Sequence, residues 1–420
     1  MKLLLVVSNY PYEGHPYSGA FNERSALALR RLGHEVEVLA PRPYVPRGLS
    51  RLASRWSSYA SIPEHETRAE IAVYRPAYAQ LPLLGGALWS ESCAYAVSAG
   101  EIARRHRRAP YDAILSFGLI GAGGIGWRLG RRLAVPAAGW ATGNDVRVAP
   151  RSSFGKAVRR SLEKIDLVFY QSAELRACGA ALLNVAPDEM DARRHAVLPR
   201  GVEEPPVLSS ERRHELRRAV GLGEEQVVVL YLGRIAAPKG VFELAQAMAR
   251  ARERCPELIC WMVGAKRGFD DSAKLARCGS VRLIDACAHE QIWDYFAAAD
   301  IFAFPSHGEG MPNSLLEAMS TGLPAVAYAI PPIEEIDQGS GALLRVAPGD
   351  VHGLADALVS LARTPERRAA LGRNGRARVY AAFLSADRMA SAARRVAQLI
   401  ETRGVSFSQF ADRSAAAVRR

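Results

Sequence analysis

Several classes of protein are excluded by what this 420-residue chain lacks. Its six cysteines, at positions 93, 178, 255, 260, 278 and 287, form no C-x-x-C pair and have no partner histidines at zinc spacing. No metal site and no disulfide framework is therefore expected, and the thiols fit a reduced, cytosolic setting. No apolar run reaches the roughly 18 residues that a membrane-spanning helix needs. The opening MKLLLVVSNY passes from a short apolar stretch straight into polar residues with no small-residue cleavage site, so it reads as a first strand and not as a signal peptide. Aromatic residues make up 8% of the chain and do not interleave with basic ones in a stacking pattern, and no zinc-finger or RRM signature occurs. Nucleic acid is not an expected partner.

What is present is ordinary for a globular enzyme, 49% hydrophobic and 23% charged, at a length that calls for two domains. The formal charge of +12 is concentrated in residues 1–200. A basic half of this kind suits an anionic membrane surface. One segment, 151–166, can form a helix that crowds Lys156, Arg159, Arg160 and Lys164 together and sets Phe154, Val158, Leu162 and Ile165 apart from them. That pattern is compatible with lying on anionic lipid, although a solvated helix packed on a sheet fits it better.

Apolar, β-rich runs alternate with longer helical patterns along the chain. In the first half they are Leu3–Ser8, Glu35–Ala40, Ala113–Phe117, Ala137–Trp140 and Leu167–Gln171. In the second they are Val227–Leu232, Ile259–Val263, Val281–Ile284, Ile301–Pro305 and Pro324–Ala327. The pattern predicts two parallel α/β sheets. Pro205 and Pro206 break both periods between the halves, which places an amino-terminal domain at 1–203 and a carboxy-terminal one at 204–385. The helix near 386–401 is expected to return to the first domain, with 404–420 a loose tail. Two such sheets facing across a cleft would bind ligand at the carboxyl ends of their strands.

The chemical candidates follow strands. "HGEGMPNSLLEAMSTGLPAVAY" carries Glu309 in a glycine loop and Glu317 in the next helix, eight positions apart. The start of that helix, near Pro312 and Asn313, offers free N–H groups and partial positive charge to a phosphate, and Gly308 and Gly310 permit close approach. Glu317 can accept from a pair of sugar hydroxyls. After Val227–Leu232, Arg234 and Lys239 can neutralise a departing diphosphate, or be two solvated loop cations; beside the glutamate loop the first reading gains. Gly19, after the first strand, can bring N–H groups to a phosphate or simply punctuate a turn. His15 is an acid–base candidate, although a lone loop histidine is more often solvated. Asp145, in Trp140-Ala-Thr-Gly-Asn-Asp-Val146, is a helix cap or a binding carboxylate, capping being the commoner job. Gly121-Ala-Gly-Gly-Ile-Gly126 is a literal dinucleotide fingerprint, but it lies outside the first strand-turn-helix unit. Packing glycines are the preferred reading there.

Glu309 and Glu317 in E-x7-E spacing, with "YLGRIAAPKG" upstream, resemble the retaining nucleotide-sugar glycosyltransferases of the GT-B fold, often called family 4. "SGAFNERSALALRRLGHEVEVLAP", "LPRGVE" and "AIPPIEEIDQGSGALLRVAPGD" extend the likeness to about residue 400. The resemblance implies that Arg234 and Lys239 bind the donor diphosphate and that Glu317 binds the ribose hydroxyls. Glu309 would assist the reacting centre. Gly310, Met311, Pro312, Asn313 and Ser314 would line the donor, and Gly19 would reach the diphosphate from the amino-terminal domain. It further implies sugar transfer with retention of anomeric configuration, with no cofactor and no metal, in keeping with the lack of any D-x-D triplet. Thr142 stands where the family usually has histidine, in Thr142-Gly-Asn144-Asp145. Arg200 stands where asparagine is common, and Ala329-Ile330 where two glycines are usual. Thr142, Asn144, Asp145 and His15 would serve the acceptor or the sugar.

The expected activity is thus sugar transfer from a nucleotide diphosphate donor to a lipid-linked or polysaccharide acceptor, in cell-surface polysaccharide synthesis. The expected place is the cytoplasm, peripheral on the inner face of the membrane. A nucleotide-sugar epimerase, a non-catalytic sugar-nucleotide binder and an NAD-dependent dehydrogenase are the competing readings.

Overall fold

The computed structural model describes residues 1–15, 18–46, 59–80, 86–147, 154–207, 209–266, 275, 279 and 281–417, the side chains of 87 and 403–417 excepted. The chain divides into two compact units, Met1–Arg200 together with the stretch from Ser385, and Gly201–Leu384.

Among the described residues, ten strands belong to the first unit. They are β1 (Lys2–Val7), β2 (Glu35–Leu39), β3 (Arg42–Pro43), β4 (His65–Arg68), β5 (Ile71–Tyr74), β6 (Ala77–Tyr78), β7 (Ala113–Phe117), β8 (Ala137–Ala141), β9 (Leu167–Tyr170) and β10 (His195–Val197). Eight of them form one sheet in the order β10-β9-β8-β7-β1-β2-β5-β4. All neighbours are parallel except β4 against β5. β1 explains the layering. Leu3, Leu5 and Val7 pack with Leu29 of helix Ala20–Arg31 and with Met389, Ala392 and Val396 of the last helix. Leu4 and Val6 turn to the other face, against Ile102 and Leu129 of helices Ala87–Arg108 and Ala122–Leu133. A strand buried on both faces has no polar alternation, which is why it reads as a continuous apolar run.

Among its described residues the second unit has six strands, β11 (Val227–Leu232), β12 (Leu258–Val263), β13 (Val281–Ile284), β14 (Ile301–Phe304), β15 (Ala325–Tyr328) and β16 (Leu344–Val346), all parallel in the order β13-β12-β11-β14-β15-β16. This is the doubly wound order, with its topological switch between β11 and β14. Val227, Val229 and Tyr231 face Leu244, Met248, Leu354 and Leu358. Val228 and Leu230 face Phe296, Leu315 and Met319 on the opposite side.

Three expectations need correction. The division falls at Arg200/Gly201 and not after 203. Residues 404–417 of the expected loose tail continue the helix Ser385–Ala417, and 418–420 lie outside the described residues; a single glycine interrupts a stretch otherwise free of breakers and ending in alanines, the strongest helix formers. β3, β4, β5, β6, β10 and β16 were not expected. The helix expected over 151–166 spans Gly155–Lys164. Its Val158 and Leu162 are buried, whereas Phe154 is exposed with Lys156, Arg159, Arg160 and Lys164. Positions 151–153 lie outside the described residues. No helix among the described residues is long and apolar enough to cross a membrane.

Candidate active site

The chemistry-bearing loops of the second unit leave β11 and β14, the two strands flanking its switch point. They are fastened to each other. Gly240 has φ +70°, and a Cβ there would lie 1.9 Å from the Pro305 carbonyl oxygen, so only glycine lets the β11 loop pass so close to the end of β14. The His307 N–H donates to the Pro238 carbonyl at 3.1 Å. Its ring Nε2 meets Glu243 Oε1, one turn into helix Val241–Arg252, at 2.8 Å.

This fastening brings Lys239 to Glu309. The Lys239 ammonium donates to Glu309 Oε1 at 2.6 Å and to the Gly308 carbonyl at 3.4 Å, and Ser306 Oγ donates to the same Glu309 oxygen at 2.7 Å. Both members of the pair are mostly shielded from solvent. Arg234 is exposed at the end of β11. Its carbonyl accepts from the buried Tyr231 hydroxyl at 2.9 Å. Burial, reinforced by the charge of Glu309, holds that phenol well above its usual pKa and keeps it a hydrogen-bond donor.

Helix Asn313–Ser320 begins directly after this loop, and no side chain caps it. Its first N–H groups and the positive end of its dipole therefore favour an anion beside the Lys239–Glu309 pair. Gly310 is half-buried and Met311 and Pro312 are buried; Asn313 and Ser314 are half-buried in the first turn. Glu317 lies one turn further on, 5% exposed, with His289 Nε2 at 3.9 Å from its Oε1. The structure thus brings together Lys239, Glu309, Glu317 and residues 310–314, with Arg234 on the neighbouring loop. Ser306, His307, Glu243 and His289 were not anticipated. His307 opens the quoted motif and Ser306 stands just before it, but nothing in their spacing marks their partners.

In the first unit Gly19 has φ +77° and precedes helix Ala20–Arg31, and a Cβ there would come within 2.5 Å of the Asn9 carbonyl. His15 closes a tight turn, its N–H donating to the Tyr12 carbonyl at 2.9 Å, and its ring lies edge-on to Tyr12. Thr142 is half-buried and Asn144 exposed. Asp145 departs from the acceptor-side expectation. Its buried carboxylate accepts from the backbone N–H groups of Leu119, Thr142, Gly143 and Val146 at 2.9–3.1 Å, and from the Thr142 hydroxyl at 3.4 Å. It is a cap that ties two loops, the commoner job for Asp at such a junction.

The glycines at 121–126 are packing residues. A Cβ on Gly124 would lie 1.7 Å from the Glu91 carboxylate carbon, and one on Gly126 would lie 2.0 Å from Ser116 Oγ. Glu91, itself buried, pairs with Arg128 at 2.5 Å. Burial raises its pKa while Arg128 opposes the shift. The helix face that a pyrophosphate would need is taken up by side chains.

Two α/β units, the second doubly wound with its cations and glutamates at the switch point, are the architecture of the GT-B enzymes. Solved structures of the same fold include sucrose-phosphate synthase from Thermosynechococcus elongatus (TM-score 0.71, 20% identity, 96% of this chain and 100% of that one). Anabaena HepE, solved with UDP and glucose, is another (TM-score 0.69, 18% identity, 95% and 100%). Residues 226–364 match the family described as Glycosyl transferases group 1. TuaC of Bacillus subtilis (strain 168), whose name assigns it as a glycosyltransferase to teichuronic acid biosynthesis, is 28% identical over 85% of this chain and 88% of its own. The D-inositol 3-phosphate glycosyltransferase of Actinosynnema mirum is 28% identical over 67% of this chain and 71% of its own. Residues 226–364 thus carry the group 1 glycosyltransferase pattern, and similarity to glycosyltransferases along most of the chain makes it an enzyme of the glycosyltransferase class.

Proposed function

We propose that the protein moves a sugar from a nucleotide diphosphate donor to a lipid-linked or polysaccharide acceptor, with retention at the anomeric carbon, in the synthesis of a cell-surface polysaccharide. The observation that carries this reading is the meeting of the β11 and β14 loops, which sets Lys239 against Glu309 beside an uncapped helix start with Glu317 one turn away. A nucleotide diphosphate needs cations for its phosphates and a carboxylate for its ribose, and these residues supply both on adjacent loops. TuaC, similar along most of the chain, supports the polysaccharide setting, and HepE supports a nucleotide-sugar donor.

In this reading Arg234 and Lys239 take up the charge that grows on the diphosphate as its bond to the anomeric carbon breaks. The acceptor oxygen bonds to that carbon on the same face, and its proton passes to the departing phosphate oxygen. Glu309 positions the sugar, Glu317 holds the ribose, and residues 310–314 line the donor. Gly19 is assigned to the diphosphate, and Thr142, Asn144 and His15 to the sugar or acceptor. Charge neutralisation by side chains makes a metal unnecessary. The exposed cations of helix Gly155–Lys164 suit an anionic lipid surface, which would hold the enzyme at the cytoplasmic face of the membrane.

The test is a thermal-shift panel of UDP, GDP, ADP and NAD on the wild type and on Glu317→Ala. A ligand at about 100 times its Kd stabilises the fold by about 2.7 kcal/mol. A shift from one nucleoside diphosphate that disappears in the variant is expected. A shift from NAD alone, unchanged by the substitution, would sink the proposal.

A further inference from the structure

Arg200 ends the first unit and is 5% exposed. The chain that delivers it runs from β10 back over the carboxyl end of the sheet. The Leu198 N–H bonds to the Tyr170 carbonyl of β9, the Leu198 carbonyl accepts from Trp140 Nε1 of β8, and the Arg200 N–H donates to Gln171 Oε1 just past β9. The guanidinium then sits 4.8 Å from the rings of both Phe117, the last residue of β7, and Phe21, in the helix after β1. It therefore lies over the carboxyl ends of β7 and β1, between which the strand order of this sheet reverses. That crevice is where open α/β sheets bind ligands.

Among the described residues its charge has no partner of opposite sign at hydrogen-bond distance. Nη1 donates to Asn22 Oδ1 at 3.0 Å, and Asn22 in turn donates to the Asn9 carbonyl at 2.9 Å. No other acceptor for the guanidinium occurs among the described residues. The carboxylate whose charge reaches it, Asp145, is already occupied by its own loop. Arg24 adds a second positive charge nearby. Burial, then Arg24, depresses the Arg200 pKa to about 9, with Asp145 opposing. A buried cation without a counter-charge is costly, and two aromatic faces recover only part of that. An oxyanion with several acceptor atoms would supply what is missing.

We propose that Arg200 is the floor of an oxyanion-binding subsite on the amino-terminal unit, and that the anion it takes is a phosphate group of the acceptor. The acceptor assignment rests on the transferase reading above; the anion subsite itself does not.

The probe is inorganic phosphate, titrated into the full chain at constant ionic strength and followed by melting temperature, first alone and then with the site for the nucleoside diphosphate saturated. The variants are Arg200→Gln and Arg200→Lys. Phosphate is expected to raise the wild-type Tm with nucleotide present, with an apparent Kd weakened about tenfold or more in Arg200→Gln and partly restored in Arg200→Lys. Without phosphate, Arg200→Gln should melt no lower than the wild type, because an uncompensated buried charge has been removed; a purely structural clamp on Asn22 requires it to melt lower. Equal phosphate shifts in wild type and Arg200→Gln overturn the subsite. Loss of the wild-type shift on nucleotide saturation overturns the acceptor assignment, because the anion would then be the donor's own. If Arg200→Gln fails to fold, undiminished phosphate affinity in Arg200→Lys alongside a lowered Tm overturns the subsite equally. If no nucleotide shifts the protein, the donor reading fails, and the phosphate titration without nucleotide still decides whether Arg200 binds the anion.

Discussion

Lys239 Nζ lies 2.6 Å from Glu309 Oε1, although the two residues are carried by loops from different strands and are 70 positions apart in sequence. Two groups so placed act on one reacting centre or on none. Lys239→Met and Glu309→Gln should each lower turnover by about 10²- to 10³-fold, the loss that follows removal of one charge-stabilising group. The double variant should lose far less than the product of the two. Initial rates of nucleotide release give the comparison, and full multiplicativity would show that the pair does not work together.

Gly240→Ala should destabilise the protein by about 2–4 kcal/mol, combining the strain of a left-handed alanine with overpacking against the Pro305 carbonyl. Gly33→Ala is the control. Its φ is +82° but nothing lies within 4 Å of the added Cβ, so about 1 kcal/mol is expected. Urea denaturation of both variants reads the difference, and equal losses would mean that the loop contact is unimportant.

Removing the Asp145 cap leaves buried N–H groups on two loops without an acceptor. Asp145→Ala should reduce stability by about 3 kcal/mol or more. Its nucleotide-induced thermal shift should stay at the wild-type size. A variant that melts normally but no longer turns over would restore Asp145 to the ligand side.

Acid should weaken the fold through His195. Burial, with Arg194 and Arg176 adding, lowers its imidazole pKa to about 4, while the unfolded chain has the ordinary value near 6.5. Between those values the unfolded state holds a proton that the folded state does not. The stability is therefore intact above pH 6.5 and is lost as the pH falls toward 4. His195→Gln should flatten the profile of Tm against pH in that window, and an unchanged slope would assign the acid sensitivity elsewhere. The Tyr170 hydroxyl, 3.1 Å from His195 Nδ1, marks the site as a hydrogen-bonded one in the folded state.

The long apolar runs were legible because strands buried on both faces carry no polar residues to confuse the period; β11 and β14 are the clearest examples. β4 and β10 were not, since His65-Glu-Thr-Arg68 and His195-Ala-Val197 are short, partly polar edge strands whose pairing comes from a neighbour and not from their own pattern. At the site, Glu309 and Glu317 were found from their glycine loop and helix context. The partnership of His307 with Glu243, and that of Arg200 with Asn22, joins residues 64 and 178 positions apart, and spacing holds no record of such distances. Glycines gave a mixed signal. Gly19 and Gly240 sit at left-handed turns, whereas Gly124 and Gly126 serve close packing, and the letter is the same for both.

The last helix has a consequence for the order in which the molecule is made. Met389, Ala392, Ala393 and Val396 complete the core around β1 and Leu29, so β1 awaits a segment made after the whole second unit before its own unit can close. The unit from Gly201 to Leu384 is continuous in the chain and can fold as it emerges. On the ribosome, the domain written second is therefore positioned to finish first, leaving the amino-terminal sheet with an uncovered apolar face until the helix from Ser385 has emerged.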